Sequence, residues 1–532
     1  MTLPDLPDSP LSSSARRPRR DEAAIDLTPD GLAGGRLGAG GLMFFAMTAG
    51  TPLTVVAGVV TTGFAVTGVT GLPIAFLLIG MVLGIFAVGY LAMARWIRNA
   101  GALYAYISQG LGRPLGVGAS WLALISYNLL QVGLYGAIGA ASAPLTEKFL
   151  HLRPSWFVFA GLAWALTAGL GMLKVDVNGK VLAVLLIAEI AVIIIYSVAD
   201  IASPAGDVSA ATLSPGSLFD SGAGPLLALA VLGFIGFEST VVFAEESREP
   251  RRTIPRATYG CIAITAAIYT LSSWAMSLGT GPDQIVANSR ASGTDLIFNL
   301  AADRIGQASA DIGHILFVGS IVAALISFHN TTARYAFALG RERVLPSALG
   351  RTSARTGAPV AASLAQSSLA LIVIIIYAVA GWDPLVQLFY WGGTIGGIGI
   401  LTLLAMTSFA VISFFARTDR SRAEAGADAV NPESIWARSI APAVAGLLLC
   451  LTLFLALRNL PTLLGVSTDH PLIRIVPIGI LAIFGLGVLW AGFLRLERPA
   501  VYQAIGMGAS DNEIQAQPRA QADLPIATDE VL

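Results

Sequence analysis

The 532-residue chain is 55% hydrophobic and 12% charged, with a formal net charge of -1. A soluble domain carries about 25% charged residues, so much of this chain's surface must face lipid. The charge balance gives no signal for nucleic acid or an anionic surface. Cys261 and Cys450, both in apolar runs, offer neither a disulfide framework nor a zinc site.

Residues 1–36 are rich in Pro, Ser, Asp and Arg and lack an apolar signal-peptide core, so a disordered cytoplasmic tail is expected there. Arg16-Arg17-Pro18-Arg19-Arg20 is followed by acids, which speaks against a twin-arginine export signal. Residues 501–532 read as a second such tail. Between the tails lie about twelve runs of membrane-helix length, near 38–66, 72–94, 115–142, 155–173, 179–200, 223–246, 257–279, 312–339, 359–380, 385–415, 437–460 and 472–494. Only six of the 32 Lys and Arg residues (Lys148, Arg153, Arg290, Arg304, Arg458 and Arg474) fall in loops that follow odd-numbered runs. The positive-inside rule therefore predicts that both termini are cytoplasmic. The outer loop 202–222, with Asp207 and Asp220 and no Lys or Arg, agrees.

In chain order, the first run contains Ala46-Met47-Thr48-Ala49-Gly50-Thr51-Pro52-Leu53-Thr54-Val55-Val56. Proline removes an amide donor inside a helix but suits the first position of a new one. Thr51-Pro52 thus reads as the start of a half-helix whose amides and dipole would attract a carboxylate. The upstream half would end near Met47 or Thr48 with carbonyls suited to an ammonium group or a cation. A plain proline kink is the structural alternative. Gly101 to Gly112 reads as a short helix before the third run. That run places Tyr127, Asn128 and Gln131 in apolar surroundings, with Tyr127 and Gln131 on one face, either lining a pathway or joining helices.

Glu189 is the only carboxylate in the middle of the fifth run. Ionisable groups at bilayer depth cost roughly 2.5–3.5 kcal/mol on insertion scales. Glu189 reads as a proton site, as a cation ligand with Ser327 and Thr331, as a partner of His329, or as a neutral acid bonded between helices. The sixth run carries Gly233-Phe234-Ile235-Gly236-Phe237-Glu238-Ser239-Thr240, a glycine-interrupted segment with a second acid. Glu238 can load a proton on one side and release it on the other, or can lock the unwound segment to span 1. His329, beside Ser327 and Asn330 in the eighth run, is a packing residue or a proton relay. Tyr390 and Trp391 in the tenth run could close the outer side. The four histidines show no metal-ligand spacing, and neither metal nor cofactor is expected.

Gly50-x-Pro52-x-Thr54-Val55-Val56 aligns with Gly236-x-Glu238-x-Thr240-Val241-Val242, five runs apart. An odd separation gives the copies opposite orientations, as in an inverted-repeat transporter.

Gly236-Phe237-Glu238-Ser239, with Glu245-Glu246, Pro250-Arg251-Arg252, Ile254-Pro255 and Arg256-Ala257, resembles the sixth span and following loop of the amino acid–polyamine–organocation permeases. Gly101-Ala102-Leu103-Tyr104-Ala105-Tyr106, the stretch Asn330-Thr331-Thr332-Ala333-Arg334 with Ala338-Leu339-Gly340-Arg341-Glu342 and Leu345-Pro346, and the break in the first run are similar to further family elements. Many members write a Gly-Ser-Gly-type break where this chain has Ala49-Gly50-Thr51-Pro52. The resemblance implies an all-α polytopic membrane protein of about 12 transmembrane helices. It implies a leucine-transporter-like 5+5 inverted repeat with helices 1 and 6 broken: spans 1–5 in 37–203, spans 6–10 in 204–416, and spans 11–12 with a linker in 417–500. It also implies uptake or exchange of amino acids or related amines; the leading expectation is proton-coupled symport or exchange by alternating access, with sodium as the alternative ion.

In that frame, amides near Thr51, Leu53 and Thr54 would bind the substrate carboxylate beside Gly50. Carbonyls near Ala46, Met47, Leu232 and Gly233 would accept from its ammonium group. Gly236 would keep the second break open, and Phe234 and Phe237 would cover the substrate or simply pack. Arg248, Arg251, Arg252 and Arg256 read as loop-ordering residues with Glu245 and Glu246 as partners. Besides an amino acid symporter or exchanger of the cytoplasmic membrane, three readings stay open. A polyamine permease would pair Glu238 or Glu189 with a cationic substrate. A sensor would bind without moving its ligand. A membrane enzyme would need a nucleophile–base pair or metal cluster that the sequence does not offer.

Overall fold

The computed structural model describes residues 32, 34–218, 222–353, 356–424 and 433–508. Most of the expected N-terminal tail, Asp220 and residues 509–532 lie outside them. Among the described residues, eleven helices are long and apolar enough to cross a membrane. In chain order the spans are 1 (Ala39–Thr67), 2 (Leu72–Ala94), 3 (Arg113–Leu150), 4 (Trp156–Gly171), 5 (Val175–Ala202), 6 (Ala223–Val241), 7 (Pro250–Thr280), 8 (Gln307–Arg341), 9 (Val360–Ala380), 10 (Pro384–Arg420), 11 (Trp436–Arg458) and 12 (Leu472–Glu497). Span 4 is the twelfth apolar helix, and its 16 residues fall short of the roughly 20 that a perpendicular crossing needs. The chain is a multi-pass membrane protein. The short helix expected between Gly101 and Gly112 is Leu103–Leu111.

Local chemistry sets several helix starts. Prolines stand in the first turn of spans 2, 3, 7 and 10, where no intrahelical amide is lost. The Asp383 side chain accepts the Leu385 and Val386 amides at 2.8 Å each, capping span 10. Span 3 has 38 residues, about 57 Å of helix, nearly twice the ~30 Å hydrocarbon core. It runs against spans 4, 8, 10 and 12 and the Leu103–Leu111 helix.

Burial separates an inner from an outer set. The most apolar window of span 6 is 83% buried and those of spans 1 and 3 are 72% buried, against 33% for span 9 and 11% for span 12. Span 12 leaves Leu481, Leu489 and Leu496 exposed, which suits a lipid-facing helix. Spans 1, 3 and 6 are the most interior of the set.

One face gathers both described chain ends; we call it the terminal face. Leu37 forms a parallel β-bridge with Ser247, and the Arg36 and Leu37 amides donate to the Glu246 carbonyl at 2.9 and 3.0 Å. The acids after span 6 pair differently from the sequence expectation. Glu246 holds Arg334 of span 8 in a buried bidentate pair (2.6 and 2.9 Å), and Glu245 holds Arg341 (2.8 and 2.7 Å). The 3₁₀ turn Ala244–Glu246 aims both carboxylates at span 8. The Arg248 guanidinium donates instead to the Gly35 carbonyl, and Arg252 approaches only Glu249, at 3.7 Å on the surface. The tail boundary expected at 501 falls inside a helix, Pro499–Ala504. Beyond it, the Gly506 and Gly508 amides donate to Glu342, which also accepts from Asn99 and from the Tyr104 hydroxyl.

Candidate functional site

Spans 1 and 6 are both interrupted mid-membrane. Span 1 is helical over Ala39–Ala49, breaks at Gly50-Thr51, and resumes at Pro52 through a π-helical stretch, Val55–Val60. Thr51 is left-handed (φ 42°, ψ 68°). For a β-branched residue this is a genuine outlier, and such strain costs about 1–3 kcal/mol unless the surroundings hold it. Span 6 is helical over Ala223–Leu232 and turns through Gly233–Gly236 before a 3₁₀ segment, Phe237–Val241. Gly236 has φ 121°, which only glycine adopts readily.

The two interruptions touch. A Cβ on Gly236 would lie 2.6 Å from the Ala49 Cβ, 2.9 Å from the Ala46 carbonyl oxygen and 3.0 Å from the Gly50 amide. A Cβ on Gly50 would lie 3.3 Å from the Met47 carbonyl oxygen and 3.7 Å from those of Gly233 and Ile235. The carbonyl-rich ends expected from the sequence therefore adjoin.

Each break holds a buried carboxylate, by different means. Glu238 folds back on its own segment: Oε2 accepts the Gly236 amide at 2.9 Å and Oε1 accepts the Tyr127 hydroxyl of span 3 at 3.0 Å. Tyr90 of span 2 donates to the Glu238 carbonyl at 2.8 Å. The carboxyl group thus ties the break to span 3 and the backbone carbonyl ties it to span 2; among the described residues neither bonds to span 1. Glu189 of span 5 reaches the first break, where Oε2 accepts the Leu53 amide at 3.4 Å and the Ser320 hydroxyl of span 8 at 2.8 Å. Ser320 in turn accepts from the Thr54 hydroxyl at 3.3 Å. A chain carboxylate therefore occupies the half-helix N-terminus at Leu53, and the Thr51 amide donates to the Thr48 carbonyl at 3.2 Å. Ser327, Thr331 and His329 are not Glu189's hydrogen-bond partners among the described residues.

A cavity of ≈ 150 Å³ opens beside the breaks. Gly50, Thr51 and Thr54 form its floor with Leu232 and Ile235. Leu130 and Leu134 of span 3, Phe328 of span 8, and Phe389, Tyr390 and Thr394 of span 10 form its walls. Val59, Thr62 and Leu463 carry it toward the face opposite the chain ends. Among the described residues, no charged side chain lines it.

The structure brings together part of the expected site. Gly50, Thr51, Thr54, Leu232 and Tyr390 line the cavity; Ala46, Met47, Leu53, Gly233 and Gly236 sit behind it in the breaks. Phe234 and Phe237 do not line it. The Gly233–Gly236 turn sends Phe234 toward Phe76 and Tyr269 (ring centroids 6.3 and 5.9 Å) and Phe237 toward Phe86 (6.0 Å), while Ile235 faces the cavity. The other polar candidates join helices. Gln366 of span 9 donates to Asn128 and Gln131 at 2.8 and 2.6 Å. His329 is hydrogen-bonded to Gln131 at 3.3 Å and to Ser363 at 2.8 Å. Ser327 donates to the Phe45 carbonyl at 2.6 Å, Asn330 accepts from Asn178 of span 5 at 3.4 Å, and the Trp391 indole donates to the Leu464 carbonyl at 3.1 Å. The sequence reading missed Ile235, Phe328 and Phe389. Phe328 could have been found, since it stands between Ser327 and His329, already marked; Phe389 likewise precedes Tyr390. Among the described residues, no group of three or more His, Cys, Asp or Glu could hold a metal ion.

Residues 40–483 match the amino acid permease family. A lysine-specific permease, LysP of Lactococcus lactis subsp. cremoris, is 26% identical over 355 residues, which cover 63% of this chain and 68% of the relative. The branched-chain amino acid permease BcaP of the same organism is 24% identical over 303 residues (54% of this chain, 64% of the relative). A low-affinity putrescine importer, PlaP of Escherichia coli, is 25% identical over 301 residues (54% and 63%). The chain thus matches just under two thirds of BcaP and PlaP. The leucine-transporter-like architecture expected of such permeases fits the helical structure and its two interrupted spans. On the extent of that match, the chain belongs to the amino acid permease family.

Proposed function

We propose that the chain is a secondary active permease for neutral amino acids with apolar side chains. One observation carries this reading: the cavity beside the two breaks is walled by Leu, Ile and Phe side chains, and among the described residues no charged side chain lines it. An apolar cavity near 150 Å³ takes a guest about the size of benzene, which suits an aliphatic or aromatic side chain. The ammonium group would meet the carbonyls of Met47, Gly233 and Ile235, and the carboxylate would meet the polar edge formed by Thr51 and Thr54. A lysine or putrescine head would enter this cavity without a partner, since Glu189 and Glu238 are engaged in the breaks; an unpaired buried charge is costly.

The remaining parts of the reading have separate supports. The Lys and Arg distribution supports a cytoplasmic membrane location with both termini cytoplasmic, so the terminal face would be the inner one. Repeats over 37–203 and 204–416, with spans 11 and 12 added over 417–500, are supported by the paired breaks at corresponding positions. Transport would run by alternating access, with no covalent chemistry, and Glu238 and Glu189 are the groups we assign to proton coupling. Counterflow uptake by proteoliposomes, with labelled leucine, valine, phenylalanine, lysine, glutamate and putrescine at two pH values with and without sodium, tests the reading. Uptake of leucine, valine or phenylalanine is expected. Uptake restricted to lysine or putrescine would transfer the chain to the cationic permeases, and binding without flux would make it a sensor. Glu238→Gln should abolish uptake driven by a pH gradient while counterflow persists; undiminished driven uptake would sink the coupling role.

A further inference from the structure

A second cavity, of ≈ 420 Å³, lies on the terminal face, remote from the breaks, and is bounded by Trp121, Arg343, Val344, Trp490 and Arg498. Its level in the membrane follows from the helices that build it. Arg343 stands two residues beyond the end of span 8, and Arg498 directly follows span 12. Trp490 lies seven residues before the end of span 12, about 10 Å inward, and Trp121 lies eight residues into span 3, about 12 Å from its start. Span 3 overruns the hydrocarbon core, so its first turns stand in the headgroup layer. Two tryptophans at this depth match the aromatic belt at a membrane–water boundary.

The groove is built, and it is positively charged. The Trp490 indole donates to the Val344 carbonyl at 3.0 Å, pinning the 8–9 loop as one wall. The Trp121 indole N–H is shielded from solvent and has no acceptor among the described residues. Arg343 and Arg498 are exposed, and neither guanidinium has an ion pair or hydrogen bond among the described residues. This sets them apart from Arg334 and Arg341, which are committed to Glu246 and Glu245. Arg343 also holds a left-handed backbone (φ 59°), which glycine would adopt with less strain. Glu342, next in sequence, offers it no charge balance, because its oxygens serve Tyr104, Asn99 and the Gly506 and Gly508 amides.

We propose that this groove binds the phosphate headgroup of an anionic phospholipid in the leaflet on the terminal face. Arg343 and Arg498 supply the charge, the tryptophans flank the glycerol region, and the acyl chains lie along the exposed apolar flank of span 12. A basic pocket between helices at the membrane boundary is the setting in which such headgroups are held. The chain's net charge of -1 hides this site, since the attraction is local. The inference requires only that the chain spans a bilayer and is independent of which substrate it carries.

The test uses the full-length protein in neutral detergent, titrated with phosphatidylglycerol, phosphatidylcholine or inorganic phosphate, with bound lipid read by native mass spectrometry and stabilisation read by melting. Phosphatidylglycerol is expected to bind and stabilise in preference to phosphatidylcholine. Arg343→Gly, which suits the left-handed backbone and removes the charge, and Arg498→Gln are each expected to weaken binding about fivefold, and together about 25-fold. If the double variant does not fold, Arg498→Gln alone decides. Equal binding of the two lipids, or unchanged phosphatidylglycerol affinity in the variants, would overturn the proposal. Stabilisation by inorganic phosphate equal to that by phosphatidylglycerol would assign the groove to a free anion and overturn it as well.

Discussion

The two helix breaks solve one problem in opposite ways. The break in span 6 is capped from within: glycines bend the chain, and Glu238, two residues beyond Gly236, returns to cap the Gly236 amide while its other oxygen takes the Tyr127 hydroxyl of span 3. The break in span 1 is held from afar. A strained threonine precedes the proline, and the amide at Leu53 meets Glu189, 136 residues away on span 5. A locally capped break can keep its shape while neighbouring helices move. A break whose amide is capped by another span reports the position of that span, so the cap of the first break, unlike that of the second, depends on where span 5 sits.

Substitutions can break or sharpen that contrast. The largest effect is expected for Gly236→Ala, where the new methyl would meet the Ala49 Cβ at 2.6 Å in a backbone at φ 121°. Left-handed strain and overpacking together should cost about 2–5 kcal/mol, read as a large drop in melting temperature and loss of uptake. Near-normal melting would show that the segment can refold around a side chain. Next comes Glu189→Leu, which strands the Leu53 amide and the Ser320 hydroxyl at roughly 1–3 kcal/mol apiece. Glu189→Gln keeps an acceptor and should recover most of that stability. Equal destabilisation by Leu and Gln would mean that charge, not capping, holds the first break. Ile235→Ala should enlarge the cavity floor and shift preference toward bulkier side chains by about tenfold, within the range for altering an apolar pocket; competition uptake with valine and phenylalanine measures it.

The smallest effect concerns the terminal face. Burial raises the Glu342 carboxyl above its ordinary 4.5. An acid raised on folding contributes stability that is full below its unfolded value and is lost as pH rises through the folded one. The wild-type protein should therefore lose more melting temperature than Glu342→Gln as pH is raised from about 4.5. Parallel pH profiles would remove Glu342 as the cause.

The sequence showed the spans because a bilayer demands long apolar runs, and it showed the breaks because proline and glycine act locally. It did not show partners set by three-dimensional packing. Glu189 was visible as an anomaly, yet its contact with Leu53 depends on how span 5 leans on span 1. Phe234 and Ile235 are neighbours in an apolar run, and only the turn at Gly233–Gly236 decides which one faces the cavity. Glu245 and Glu246 sit beside a run of arginines, but the 3₁₀ turn directs them to span 8. The apolar run of span 4 extends to 173, and its helix stops two residues earlier, at Gly171, because nothing in an apolar run marks where the last turn ends.

The strand-like pairing of Leu37 with Ser247 yokes the entry of span 1 to the exit of span 6. A lever fastened to another at its base cannot swing alone. Any tilt of the first span about its break must drag the root of the 6–7 loop with it, stressing the Glu246–Arg334 clamp. The broken helices would then rock as one body, and the clamp would set the threshold for that stroke.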